Sequence, residues 1–536
     1  MVFKFKFRIW LWLKDLAICC AGFLALQPNL CASSQSMQIL NDAQSFFQAG
    51  HYFKAARYAF AAGEEDSQLK PISYAWITAS LVRAGLYHSA SYFFIRSLQT
   101  GDTAVKRKVL TYTQDLMIRV GADLFRKYLI KHTAYEDYDY LNRGAYLYAL
   151  AKDTLLKGKE DYSIGYIHGM SKESPLWPFA LQLRGTAYAM LGKNNEALLD
   201  FDECSEKAKF YVDRIREKFE DQVGELRRDR FRLYEAEDLQ GRCLAGRART
   251  YYQMGNFIKA DQTYEQINKK SMVWPDILFE EAWNSFGKEE YNRTLGKLAS
   301  YKSPLLSFVF NSEADVLRAQ AYLALCLYGD ANEVINEFHT KYSTLGEEIK
   351  RYVESNSNNL GEFYQLGKSA FRDSLYTKNA FNQLINRFVR GPYFQNLIDA
   401  ERQIQQEKVV IQQFSQMQTG VSQEPGYGFT GFLNLVLNWR IRSLQLIGGV
   451  FVKNSLIDYH TSLISDFDKI AFIKLEMLSR AKHKLIFKKP SVTERSRGNI
   501  IPSRRDDQYY WSFNGEFWLD ELGDYVFGLE SECGKS

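Results

Sequence analysis

An all-α chain of stacked helical hairpins is predicted by three observations. Small residues and aromatics recur at about 34 residues or a little more, the length of one helix-turn-helix unit in a repeat protein. Only 10 prolines fall in 536 residues. There are 34 tyrosines and 37 phenylalanines, the profile of packed helices whose rings fill the gaps between neighbours. The length exceeds what one hydrophobic core serves, so the reading is an open-ended solenoid or several domains.

The clearest copy lies at about 178–208: Leu181, Gly185, Tyr188, Gly192, Ala197 and Phe201 within LQLRGTAYAMLGKNNEALLDF. A second, at about 241–270, runs Leu244, Ala248, Tyr251, Gly255, Phe257, Ala260 and Tyr264, with Pro275 after it. A small residue one turn from an aromatic lets two antiparallel helices approach, and the alanine of the second helix is expected to receive the first helix's ring. The intervening glycine ends the first helix, and proline after the second stops it. Both copies resemble the tetratricopeptide repeat in this spacing.

Weaker copies follow the same order. Gly50, Tyr52 and Ala55 mark one; Tyr74, Gly85, Tyr87, Ala90 and Phe94 the next; Gly144, Tyr148, Gly158 and Ser163 a third. Leu278, Ala282, Tyr291 and Leu298 give another, and Ala314, Ala321, Tyr322 and Phe338 a last, degenerate one. The solenoid is therefore expected over 37–342. Lys209 to Asp238 is charge-dense with one apolar seam, which reads as a lengthened second helix or a helical hairpin arm.

Residues 343–487 keep helical periodicity without the repeat. Leu397, Ile404, Val410 or Ile411 and Phe414 share a face of a Gln-rich helix with coiled-coil-like character, and Leu433 to Phe487 is expected to return beside it. Between them, Pro425 with Gly426, Gly428 and Gly431 reads as the clearest linker in the chain. Residues 488–508 form a basic linker. Nine basic residues lie between Arg480 and Arg505, offering peripheral contact with a membrane or an anionic envelope polymer. In the tail, 509–536, Tyr509, Tyr510, Trp511, Phe513, Phe517, Trp518, Tyr525 and Phe527 crowd into one stretch. So aromatic a segment is expected to dock, on the chain's own helices before any partner.

Residues 1–33 read as a secretory signal peptide. Lys4, Lys6, Arg8 and Lys14 precede an apolar stretch from Leu16 to Leu26, and Leu30-Cys31-Ala32-Ser33-Ser34 offers small residues for cleavage. A retained anchor is the alternative, although the stretch is shorter than the roughly 20 residues a spanning helix needs. Neither Cys19 nor Cys31 follows a small residue, which argues against a lipoprotein. Removing four basic residues and Asp15 lowers the net charge from +5 to +2, too little to attract nucleic acid. Export leaves Cys204, Cys243, Cys326 and Cys533 in a compartment that permits disulfides. Four cysteines allow three pairings, and sequence does not choose among them. Cys204 with Cys243 and Cys326 with Cys533 is the pairing expected first, since the former two sit in successive repeats.

Together with Leu325-Cys326-Leu327-Tyr328, the string YYWSFNGEFWLDELGDY resembles the C-terminus of large exported tetratricopeptide proteins of predatory and gliding deltaproteobacteria. Some of these belong to the envelope-spanning machinery of adventurous gliding motility. The resemblance implies a periplasmic or outer-membrane-associated scaffold.

No catalytic residue, metal or cofactor is expected. The seven histidines never fall at metal-ligand spacing, and no HExxH, CxxC or GxSxG occurs. Glu136, Asp137 and Asp139 cluster, but without the glycine and closing glutamate of a calcium loop. Adjacent carboxylates such as Glu280 with Glu281, or Asp520 with Glu521, point about 100° apart on a helix and make no general acid/base pair. The function expected is a protein-protein interaction scaffold holding other envelope proteins. Gln182, Arg184, Arg247, Tyr251 and Tyr252 are the candidate partner-binding residues on the inner helices of the clean repeats. The competing reading is an accessory subunit or enzyme acting on cell-wall polysaccharide. A carbohydrate-binding tail using Trp511 and Trp518 is a third.

Overall fold

A computed structural model describes residues 34–219, 226–269, 271–299, 309–372, 379–416, 425–480, 529 and 531–533. The signal, the basic linker and nearly all of the aromatic tail lie outside the described residues. Among those described, the regular secondary structure is entirely helical, and none of the helices is long and apolar enough to cross a membrane.

One turn recurs along the chain. A residue in the left-handed region stands at Gly50, Gly85, Gly158, Gly192, Gly255, Glu289 and Cys326, with φ between 58° and 80°. At each, the next backbone N–H reaches back to a carbonyl five residues earlier: His51 to Phe46, Leu86 to Leu81, Lys159 to Thr154, Lys193 to Tyr188, Asn256 to Tyr251, Glu290 to Ser285 and Leu327 to Tyr322. This is the Schellman ending, which satisfies orphan carbonyls at a helix C-terminus. Gly50 and Gly85 are 35 residues apart, Gly158 and Gly192 are 34 apart, Gly255 and Glu289 are 34 apart, and Glu289 and Cys326 are 37 apart. That period, carried by backbone geometry, makes the chain a helical-hairpin solenoid of the tetratricopeptide type.

The chain divides into two compact units. The first comprises residues up to 153 together with 169–176 and 403–439. It opens with two hairpins, α1 (Ser34–Gln48) with α2 (Tyr52–Glu65) and α3 (Lys70–Arg83) with α4 (Tyr87–Gln99). Short helices α5 (Thr103–Leu110), α6 (Thr113–Val120) and α7 (Ala122–His132) follow, then α8 (Arg143–Leu155). The 403–439 stretch inserts rings among the first hairpins. Phe414 stacks on Phe53 with centroids 4.6 Å apart, and Phe429 lies between Phe53, Phe60 and Phe93. Gly426 is therefore not a linker residue. A Cβ there would stand 2.5 Å from the Arg57 carbonyl oxygen, so glycine serves close backbone approach rather than freedom.

The second unit comprises 154–168, 177–402 and 440–536. It begins with α9 (Glu160–His168), and its two clean hairpins are α10 (Trp177–Met190) with α11 (Asn194–Phe219) and α12 (Leu226–Gln253) with α13 (Phe257–Tyr264). The long α11 and α12 extend into the charge-dense stretch, which is helical over 209–219 and 226–238. The packing differs from expectation in one respect. The ring that fills the gap belongs to the second helix: Phe201 of α11 lies where a Cβ on Gly185 of α10 would be 2.9 Å away and one on Gly246 of α12 2.5 Å away. Phe257 of α13 meets Gly287 at 2.7 Å in the same manner. Next come α14 (Trp274–Gly287) with α15 (Tyr291–Ala299), and α16 (Glu313–Ala324) with α17 (Tyr328–Ser355).

The boundary expected at 342 falls inside α17. The Tyr342 ring is buried and its hydroxyl donates to Asp315 Oδ2 of α16 at 2.8 Å, so the helix has no reason to end there. Beyond it, α18 (Leu360–Arg372), α19 (Ala380–Arg390), the first part of α20 (Pro392–Gln416) and most of α21 (Phe429–Arg480) share one core with α17. Cys204 is bonded to Cys243 with Cα atoms 6.0 Å apart, and Cys326 to Cys533 with 5.1 Å.

Candidate interaction surfaces

The candidate residues of the clean hairpins have definite intramolecular roles. Arg184 donates from Nε and Nη2 to the two Asp200 oxygens, each at 2.7 Å, and its guanidinium lies 5.3 Å from the Trp177 ring. Burial opposes the Arg184 charge, but these bonds outweigh it and hold the group above its ordinary value. Arg247 of α12 donates to Asp202 of α11 at 2.6 Å. The half-buried Tyr251 ring carries the Lys259 ammonium 5.5 Å from its centroid, and Tyr252 packs on Phe257 at 5.5 Å. Gln182 is half-buried on α10. The two arginines thus tie α11 to the helices on either side of it.

The same pairing continues along the unit. Arg249 grips Glu280 through three bonds of 2.6–3.1 Å, and Tyr264 donates to the same carboxylate. Burial would raise Asp261, but Lys297 and Lys288 outweigh it and hold the carboxyl below its ordinary range. Lys368 and Tyr364 both bond Glu401, joining α18 to α20. Asp466 of α21 accepts from Ser312 at 2.7 Å and Lys469 at 3.0 Å. These charges are taken up in small groups, mostly between neighbouring helices. No group of His, Cys, Asp or Glu among the described residues could hold a metal ion. In the acidic loop, Asp137 accepts from the Ala134 amide and Asp139 from Asn142, so both brace local turns.

What sequence reasoning missed are apolar side chains left in water. On the clean hairpins, Leu199 is 71% exposed and Ile258 67%, with Met190, Phe210 and Met254 also exposed. Leu199 and Phe210 lie eleven residues apart, which is about 20° of helical arc, so they share a face of α11.

The longest such feature is on α21. Its packed side includes Val452, Leu456, Leu463, Ile470 and Met477, and its backbone comes close to α18: a Cβ on Gly449 would stand 2.1 Å from the Leu360 carbonyl oxygen. Away from that side, Leu446, Val450, Ile457, Ile464, Leu475 and Leu478 fall within about 80° of arc at 100° per residue, and all are exposed. Phe472, 72% exposed, flanks them. The stripe runs about 48 Å at 1.5 Å per residue. Burying one such side chain completely is worth about 1.5–3 kcal/mol, so an open row of them marks a contact surface. At its N-terminal end, a groove of about 440 Å³ is lined by Tyr393, Leu446, Val450, Phe451, Asn454 and Asp458. Tyr393 and Phe451 form one wall with ring centroids 4.8 Å apart. The groove is of a size and character to take an aromatic side chain whose polar atom meets Asp458 or Asn454. The amphipathic periodicity of Leu433 to Phe487 was legible, but not that both sides of the helix are apolar.

No family model and no curated protein matches the chain. Among solved structures, it is similar to the tetratricopeptide domain of P58(IPK), with 12% identity over 76% of this chain and 99% of that one, at a TM-score of 0.19. It is also similar to yeast Tom70, with 12% identity over 84% of this chain and 97% of the other, at 0.18. Superpositions that loose add nothing to the period read from the turns.

Proposed function

We propose that the chain is a non-catalytic scaffold of the bacterial cell envelope, periplasmic and associated with a motility-type complex. Its clean hairpins hold an apolar segment of another envelope protein. The observation that carries this is the exposure of Leu199, Phe210 and Ile258 on hairpins where Arg184 and Arg247 are engaged internally. Apolar side chains left exposed on a helical surface suit an amphipathic helix or extended strand of a partner. Tyr251, Tyr252 and Gln182 are assigned to the same partner, and Arg184 and Arg247 tie α11 to its neighbours. Support for the envelope comes from the basic and apolar N-terminal stretch, from the resemblance of the tail, and from two disulfides, which persist in oxidising compartments. The basic stretch 480–505 is assigned peripheral contact with anionic lipid or polymer.

The test is capture from solubilised envelopes by the purified chain and by a Leu199→Asp/Ile258→Asp variant. The parent is expected to retain specific proteins that the variant loses. Equal capture by both would remove the assigned surface, and no capture by the parent would remove the scaffold reading.

A further inference from the structure

We infer that the apolar stripe of α21 is the docking site of the chain's own segment Tyr509–Phe527. α21 ends at Arg480 and the next described residue is Leu529, in the same unit. There Asn292 exchanges two hydrogen bonds with the Leu529 backbone at 2.9 and 3.1 Å, Glu532 N–H donates to the Leu325 carbonyl at 2.9 Å, and Cys533 is bonded to Cys326. The segment between them is thus joined at both ends to the unit that carries the stripe, which raises its effective concentration there.

The reach closes. Leu325 and Cys326 follow the C-terminus of α16, a helix of 12 residues and so about 18 Å long. The opposite end of α16, at Ser312 and Glu313, contacts Asp466 and Lys469 on the packed side of α21, level with the middle of the stripe and about 10 Å from it across the helix. The anchored end of the tail therefore starts a few tens of ångströms from that stripe. Nineteen residues span up to about 63 Å when extended, enough to run along most of it. On the other side, the stretch from Arg480 to Tyr509 spans up to about 96 Å extended, ample to turn back over the helix.

The chemistry matches as well. The stripe offers aliphatic side chains, with Lys453 and Asp468 in the same arc, and a groove with an acceptor carboxylate at Asp458, while the segment offers eight aromatic rings. Five of those rings, Tyr509, Tyr510, Trp511, Trp518 and Tyr525, carry an O–H or N–H donor, the combination that suits an apolar slot with one polar wall.

The experiment is maleimide alkylation of an Ile464→Cys chain, read by peptide mass spectrometry without reduction, beside a Leu199→Cys chain as an open reference. Position 464 is expected to react at least ten-fold more slowly than 199, and within about two-fold of it once Trp511→Ser and Trp518→Ser are added. Circular dichroism verifies that helicity is kept, and a Tyr510→Ser/Phe517→Ser chain replaces the tryptophan variant if it is not. Equal rates at 464 and 199 in the parent tail would overturn the inference. So would slow labelling that survives both tail variants, or that vanishes on dilution, since the latter would assign the stripe to a second copy of the chain. Neither result bears on the proposed partner surface, which lies on α11 and α13.

Discussion

Phe201 shows what the repeat asks of single residues. Its ring occupies space that two glycines leave open, one on the helix before and one on the helix after, so the small residues are packing partners and not flexible points. Gly246→Ala would place a methyl 2.5 Å from the ring. A loss of about 1–3 kcal/mol is expected, as for overpacked cores, measurable by urea unfolding. Another single residue has a long-range role. In the first unit the Glu407 carboxylate caps α4, accepting from the His88 and Ser89 backbone N–H groups at 2.7 and 3.0 Å and from the Ser89 hydroxyl at 2.9 Å. Burial pushes the carboxyl up to about 7, the three donors recovering only part of the cost. The folded chain then binds a proton that the unfolded chain releases near 4.5, so stability falls as pH rises from about 4.5 to about 7 and levels off above. The difference is on the order of 3 kcal/mol. Glu407→Gln should flatten that slope in urea midpoints recorded from pH 5 to pH 8. An unchanged slope would assign it to other groups.

At the scale of the hairpin, the turns explain what could be read and what could not. Gly50, Gly85, Gly158, Gly192 and Gly255 announce their turns because only glycine adopts a positive φ without cost. Glu289 and Cys326 hold the same position in the two weaker repeats and carry no such signal, which is why those hairpins read as degenerate. Exposed Glu289 at φ 62° makes a test of the turn itself. Glu289→Gly should stabilise the chain by about 1 kcal/mol, the relief of left-handed strain less the added freedom of the unfolded chain. Destabilisation would mean that the side chain holds the turn. The glycines near 426 show the opposite failing of sequence reading. Composition alone does not separate a flexible glycine from one pressed against a backbone, and Gly426 is the second kind. Likewise the surfaces: spacing located the inner positions Arg184 and Arg247, but whether a charge faces a partner or a neighbouring helix depends on Asp200 and Asp202, whose positions follow only from packing.

For the whole molecule, helical-hairpin class and order were legible from Gly50 to Phe338, because each repeat writes its own turn and its own small-residue contact. The division into units was not. It depends on residues 403–439 packing among the first hairpins through Phe414 and Phe429, a contact hundreds of residues distant in sequence with no local signature. That the exposed Leu199 and Ile258 meet another protein is the proposal most open to direct measurement. A photo-crosslinking amino acid placed at Leu199 and, separately, at Ile258 is activated in intact cells, with the buried Phe201 position as reference. The expected result is discrete crosslinks to other envelope proteins from 199 and 258 and none from 201. Absence of any protein crosslink from both exposed positions, in a chain that is folded and located in the envelope, would contradict the scaffold reading.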